Sequence, residues 1–146
     1  KTKLTKGEFI ESIVIPKPTG KEQLITHKIS KRYEDDISAV CMAINIAFSG
    51  DQPKSIRIAL GGMSGIPQRA HQLEKALIKH WDQENLTQQA YEALKKEFSP
   101  FNDVRASAEY RLKVSANLVK KSILMIKGEN VVDLAEMTQV SSYLEA

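Results

Sequence analysis

"AVCMAINIAFSGDQPKSIRIAL", residues 39–60, is the stretch on which the fold turns. Val40, Met42, Ile44, Ile46 and Phe48 fall on one side of an extended chain, and Cys41, Ala43, Asn45 and Ala47 on the other. A period of two is the signature of a strand. The alternation of large and small residues predicts a second face closely covered by another element. "SGDQP" (49–53) supplies turn residues. Beyond it Ile56, Ile58 and Leu60 resume the same period, so the two runs predict neighbouring antiparallel strands.

Toward the N-terminus, "EQLITHKI" (22–29) reads as a weaker strand and "GEFIESIVIP" (7–16) as another. In the latter, Phe9, Ile13 and Ile15 share one side and Ile10 and Val14 the other. Pro16 and Pro18 end it, because proline cannot donate to a ladder. Strands joined by short links predict a meander.

Toward the C-terminus the period changes from Pro67, which suits a first helical turn. Ala70, Leu73, Leu77 and Trp81 recur at helical spacing. In "DQENLTQQAYEALKKEF" (82–98), Asn85 with Gln88 reads as a capping-box start, and Leu86, Ala90, Ala93 and Leu94 form an apolar stripe. After the break "SPFND", a long helix is expected from Ala106 to Lys127, with Ala108, Leu112, Ser115, Val119, Ile123 and Ile126 buried and Gly128 as its stop. Asn102 and Asp103 are candidate caps, with Arg105 just inside the helix and Tyr110 in packing. Strands first and helices after give an α+β fold: a small antiparallel sheet of three to four strands packed against three helices. Residues 1–128 form the domain and 129–146 an acidic C-terminal tail that docks or stays mobile.

The 146 residues fit one domain, and 42% hydrophobic with 27% charged residues is the mix of a soluble globular protein. Cys41 is the sole cysteine, so no internal disulfide forms; a buried thiol in a reducing, cytoplasmic setting is expected. No apolar run approaches the roughly 20 residues of a membrane span, and the opening "KTKLTKGEF" carries no signal-peptide pattern. The net charge of +3 is uneven: the tail holds Glu129, Asp133, Glu136 and Glu145 and no base, which leaves 21 basic against 14 acidic groups in the rest. Such an excess attracts anions or reads as a solvated lysine-rich surface. No RNA- or DNA-binding pattern accompanies it, so no nucleic-acid partner is expected.

His27, His71 and His80 are scattered and Cys41 has no partner in a CxxC, so no metal site is expected. Nucleophile elbows, dinucleotide fingerprints and Walker loops are lacking. Three stretches remain. In "ALGGMSGIPQRA" (59–70), Gly61, Gly62 and Gly65 read as a tight strand-to-helix crossing or as bare backbone open to a ligand. Arg105, Arg111 and Lys113 either meet phosphates or, more commonly, pair with carboxylates. "KISKRYEDDISAV" (28–40) sets Lys28, Lys31 and Arg32 against Glu34, Asp35 and Asp36, either as a self-compensating surface loop or as a polar rim aimed at a ligand.

"LTKGEFIESIVIP", "KISKRYEDDISAV…IRIALGGMSGIPQRA" and "FNDVRASAEYRLKVSANLV", in that order from Leu4 to Lys121, together resemble the C-terminal part of the flavoprotein module of molybdenum hydroxylases. That family includes xanthine dehydrogenases, aldehyde oxidases and the medium subunit of carbon monoxide dehydrogenase, and "KRYEDDISAV" is most similar to the xanthine dehydrogenase branch. The resemblance implies an α+β sandwich that closes over FAD, with the FAD held largely by an upstream FAD-binding domain. It implies partners carrying iron–sulfur (2Fe–2S) clusters and a molybdenum cofactor, with NAD or oxygen as electron acceptor. Lys28 matches a lysine near the flavin ring. Arg32, Tyr33, Glu34, Asp35 and Asp36 match a mobile loop beside it, with Tyr33 standing where a vertebrate enzyme has arginine. Gly61 and Gly62 match a "GGM" strand end, and "DVRASAEYR" the start of the last helix, whose role there is structural. These eight residues are the candidate cofactor-binding set, with no catalytic residue assigned and inactivity expected of the domain alone. The rival expectation is a non-catalytic docking domain for a redox partner subunit.

Overall fold

The computed structural model describes residues 3–129, apart from 18, 33, 34 and 82. Tyr33, Glu34, Pro18 and the acidic tail beyond Glu129 therefore lie outside the described residues. The fold is α+β: β1 (Glu22–Ile29), β2 (Val40–Ser49), β3 (Gln52–Gly61) and the two-residue β4 (Gln68–Arg69) precede α1 (His71–Lys79), α2 (Leu86–Glu97) and α3 (Ala108–Ile126). The strands form one antiparallel sheet in sequence order.

The alternation in β2 and β3 decides which face is buried. Val40, Met42, Ile44, Ile46, Ile58 and Leu60 are all fully buried against the helices. Each such aliphatic side chain contributes about 1.5–3 kcal/mol through burial. α3 lies against β1 and β2, α1 lies against β3, and α2 packs on both of those helices. Leu73, Leu77 and Trp81 from the first helical stripe, Ala90 and Leu94 from the second, and Leu112, Val119 and Ile123 from the third complete the core. At the hairpin end, Trp81 meets Phe48 edge-on at 5.6 Å, with the Lys127 ammonium over its ring.

Several expectations fail for local reasons. Residues 7–16 are not a strand here: they have the right alternation but no neighbouring edge to pair with among the described residues. The fourth strand is instead Gln68–Arg69, too short and too polar to show a period. Pro67 stands ahead of that strand rather than in a helix. The helix is delayed to His71 because the Ala70 amide donates to the Ile58 carbonyl and holds the chain extended on the sheet edge. Asn85 is the N-cap of α2 but its side chain accepts from Gln89 Nε2, so no capping box forms. α3 begins after Ser107, whose Oγ accepts from the Tyr110 amide, and Arg105 falls in the preceding loop. Tyr110 does not pack: it is 48% exposed. Cys41 is exposed too, because the small-residue face of β2 is left uncovered by the described elements.

Two carboxylates tie the helical layer down. Glu97, the last residue of α2, accepts from the His71 and Gln72 amides at 2.7 and 2.8 Å. It thereby caps α1, whose own N-cap residue Ala70 has no side chain to offer. Glu74 is nearly buried. It accepts the Ile58 amide at 2.8 Å and a two-pronged Arg69 guanidinium at 2.6 and 2.7 Å. Burial pushes its carboxyl up, but Arg69, the Ile58 amide and His71 outweigh that and hold it below the usual range. Replacing it leaves a buried strand amide unsatisfied, so Glu74→Ala should destabilise the fold by about 1–3 kcal/mol. Urea unfolding of the two proteins measures this; equal midpoints would remove Glu74 from the list of structural ties.

Candidate functional site

The two faces of the sheet differ in kind. Opposite the helices, register aligns Lys28 with Cys41 and Gly61, Thr26 with Ala43 and Ala59, and Leu24 with Asn45 and Arg57. The central strand shows this face only Cys41, Ala43, Asn45 and Ala47, so its floor is low and flat. Lys28 and Arg57 are exposed cations, and neither makes a hydrogen bond or ion pair with the described residues. Asn45 Oδ1 is buried in this floor and has no partner. A buried carbonyl-type oxygen without a donor is uncommon in a finished structure.

The charged loop leaves the sheet just beyond Lys28. Its base is closed by the Ala39 amide donating to the Ile29 carbonyl at 2.7 Å. Asp36 organises its interior, accepting from the Lys31 and Arg32 amides at 3.0 and 3.1 Å. The Arg32 amide, against the opposing push of desolvation and with help from the Lys31 amide, holds the Asp36 carboxyl below the usual range. Asp35 takes a left-handed conformation (φ 49°), which aspartate tolerates better than most residues. Its carbonyl accepts from the Arg32 guanidinium at 3.2 Å. Lys31 Nζ reaches across to the Val104 carbonyl at 2.6 Å and ties the loop to the segment ahead of α3. Lys28, Arg32, Asp35 and Asp36 are thus gathered at one end of the sheet.

Gly61 and Gly62 behave differently from one another. At Gly61 a Cβ would stand 3.6 Å from Cys41 Cβ, an ordinary contact, and the residue continues the low floor. Gly62 has φ +82°, and a Cβ there would run into the Ala39 carbonyl and lie 3.0 Å from the Arg111 guanidinium. Its place is a crossing, packed against α3. The remaining expected cations pair with carboxylates: Lys113 with Glu109 at 2.6 Å, and both Arg105 and Arg111 with Asp103.

Arg111 is the residue whose importance the sequence understated. Its side chain is 2% exposed. It donates to the Ala39 and Gly62 carbonyls and, at 2.6 Å, to Asp103 Oδ1, beneath the Phe101 ring. Asp103 in turn accepts from the Arg105 and Ala106 amides, while Asn102 Oδ1 accepts from Ala108, the first amide of α3. One available signal was the position of Arg111: it directly precedes Leu112, inside the apolar stripe of α3. Arg57 was legible as well, since it alternates with Ile56 and Ile58 and so had to face the other side.

The comparisons with known proteins agree with this architecture. Residues 25–126 match the CO dehydrogenase flavoprotein C-terminal domain. The chain belongs to that family. It is 27% identical over 121 residues to the glyceraldehyde dehydrogenase medium chain of Sulfolobus acidocaldarius, covering 83% of this chain and 42% of that one. Its fold is similar to a chain of reconstituted CO dehydrogenase from Oligotropha carboxidovorans (TM-score 0.64, 22% identity, 73% of this chain and 37% of that one). It is equally similar to a chain of quinoline 2-oxidoreductase from Pseudomonas putida 86 (TM-score 0.64, 22% identity, 76% and 38%). The domain therefore spans about two-fifths of the length of these relatives. Among the described residues no histidine, cysteine and carboxylate cluster could hold a metal, and no helix is long and apolar enough to cross a membrane.

Two substitutions test the clamp around Arg111. Gly62→Ala should cost about 2–3 kcal/mol, since it combines backbone strain with a clash against a carbonyl that cannot yield; an unchanged melting temperature would contradict this. The Ala106 amide, ahead of burial's opposing push and aided by the Arg105 amide and Arg111, lowers the Asp103 carboxyl from 3.8 to about 2. A depressed carboxylate stabilises the fold above its unfolded pKa and loses that contribution as pH falls through its folded one. Asp103→Asn should therefore be less stable than the parent at neutral pH. The gap should close between about pH 4 and pH 2 when both are unfolded with urea across that range.

Proposed function

We propose that this chain is the C-terminal domain of a flavoprotein subunit in a molybdenum hydroxylase, and that the open face of its sheet lies against FAD. The observation that carries the reading is the face itself: a low floor of Cys41, Ala43, Ala59 and Gly61, an unpartnered Asn45 oxygen, and the free cation of Lys28 at the loop end. These residues fit a flat, polar-edged ring system such as isoalloxazine. They offer no glycine-rich cradle for its pyrophosphate, which on this reading would be held by the rest of the flavoprotein subunit.

When bound, FAD would take electrons from iron–sulfur clusters, reduced in turn by a molybdenum cofactor, and deliver them to NAD or oxygen. The chain's own contribution is electrostatic and steric. Lys28 would place a positive charge where a reduced flavin accumulates negative charge. The loop from Ser30 to Ser38 would govern access, with Asp36 holding its form and the exposed Arg32 and Asp35 presented to an approaching acceptor. Gly61 would leave room for close approach, while Gly62 would act at second hand by seating the loop's return at Ala39. The sequence "KRYEDDISAV" favours a xanthine-dehydrogenase-like parent enzyme.

In the intact flavoprotein, Lys28→Ala should lower the flavin midpoint potential by roughly 30 mV, equivalent to about 1.4 kcal/mol for a two-electron couple. The melting temperature of the isolated chain carrying the same substitution should not change, because the Lys28 side chain is exposed there. An unchanged potential would remove Lys28 from the mechanism. Titration of FAD into the isolated chain should show weak binding; stoichiometric tight binding would refute the division of labour. Firm capture of an iron–sulfur partner by a flavoprotein whose open face ignores flavin would support a docking domain instead.

A further inference from the structure

The longest run of exposed apolar residues lies outside the flavin face. Phe9, Ile10, Ile13, Val14 and Ile15 are 79, 67, 78, 88 and 82% exposed, all within one stretch that ends at Pro16. Scattered exposed aliphatics are ordinary, but five in seven positions form a patch that a soluble protein normally covers. The pattern specifies the cover. Phe9, Ile13 and Ile15 project to one side of an extended chain and Ile10 and Val14 to the other, so both faces require burial, as in an interior strand. The backbone from Phe9 to Pro16 makes no hydrogen bond to a described residue. Just before it, a turn through Gly7 (φ 94°) is closed by the Glu8 amide on the Thr5 carbonyl and the Thr5 amide on Glu8 Oε2.

We propose that residues 8–16 are an interior strand of a second sheet, whose other strands belong to the flavoprotein polypeptide that precedes this domain. Three observations select that occupant. The family match begins at residue 25 and is to a C-terminal domain, so the segment stands on the side from which the relatives' remaining length must arrive. That remainder is about three-fifths of each relative. The domain's own free edge, β1, cannot serve: only α3 reaches β1, so a strand added outside it would have neither face covered. The segment thus acts as a strand donated across the junction between two bodies, joining them by main-chain hydrogen bonds as well as apolar contacts. This inference does not depend on flavin binding.

Hydrogen–deuterium exchange tests it, on this chain alone and on the intact flavoprotein with FAD present and stripped. Amides 9–15 should exchange almost freely in the chain alone and slow by at least ~100-fold in the intact protein, with or without FAD. Fast exchange in both would overturn the proposal. So would protection in the isolated chain, whether constant with concentration (pairing with β1) or rising with it (pairing with a second copy). The double variant Ile13→Asp, Ile15→Asp should leave the melting temperature of the isolated chain unchanged and abolish the protection in the intact flavoprotein. Retained protection there would overturn the strand assignment. A flavin potential indifferent to Lys28 alongside strong protection of 9–15 would leave this proposal standing and remove the flavin reading alone.

Discussion

A single buried guanidinium holds the loop end of this domain's sheet together. Arg111 is a charge placed in an apolar stripe, where a buried charge has to be neutralised and its donors used; only its Nε lacks a partner among the described residues. Asp103 supplies the neutralising charge, and the carbonyls of Ala39 and Gly62 take further N–H groups. Those two carbonyls are the entry to β2 and the exit from β3. The start of α3, the return of the charged loop and the strand crossing are therefore fixed relative to one another by one side chain. Gly62 is glycine because the same point needs a left-handed backbone and has no room for a Cβ.

Much of the fold was legible because burial is one-sided. The large residues of β2 and β3 have one apolar layer to face, and a period of two reports that layer directly. The three helical stripes were legible for the same reason. What escaped was structure held by polar contacts between distant positions. β4 exists because the Ala70 amide meets Ile58, and α1 starts where it does because Glu97, 26 residues onward, reaches its first amides. No local pattern announces either. Residues 7–16 stay out of this sheet for another reason: the alternation is real, but a strand is a relation between two segments, and sequence periodicity reports only one of them.

The candidate site was half visible. The crowding of opposed charges ahead of β2 was plain, and so was the position of Lys28. The roles within the loop were not, since Asp36 faces inward to the loop's own amides while Arg32 faces outward, a distinction that composition does not carry. The small residues of β2 line an open floor rather than meeting a close neighbour among the described elements. Size alternation reveals that a face is flat, not what rests on it.

The exposed thiol on that floor has a practical consequence. Cys41 is the chain's single cysteine and stands in register between Lys28 and Gly61. A fluorophore or spin label attached by thiol chemistry therefore lands at one defined spot on this chain, at the loop end of the face in question. The molecule comes with its own reporter of occupancy there, readable by quenching or by reaction rate without any engineered attachment point.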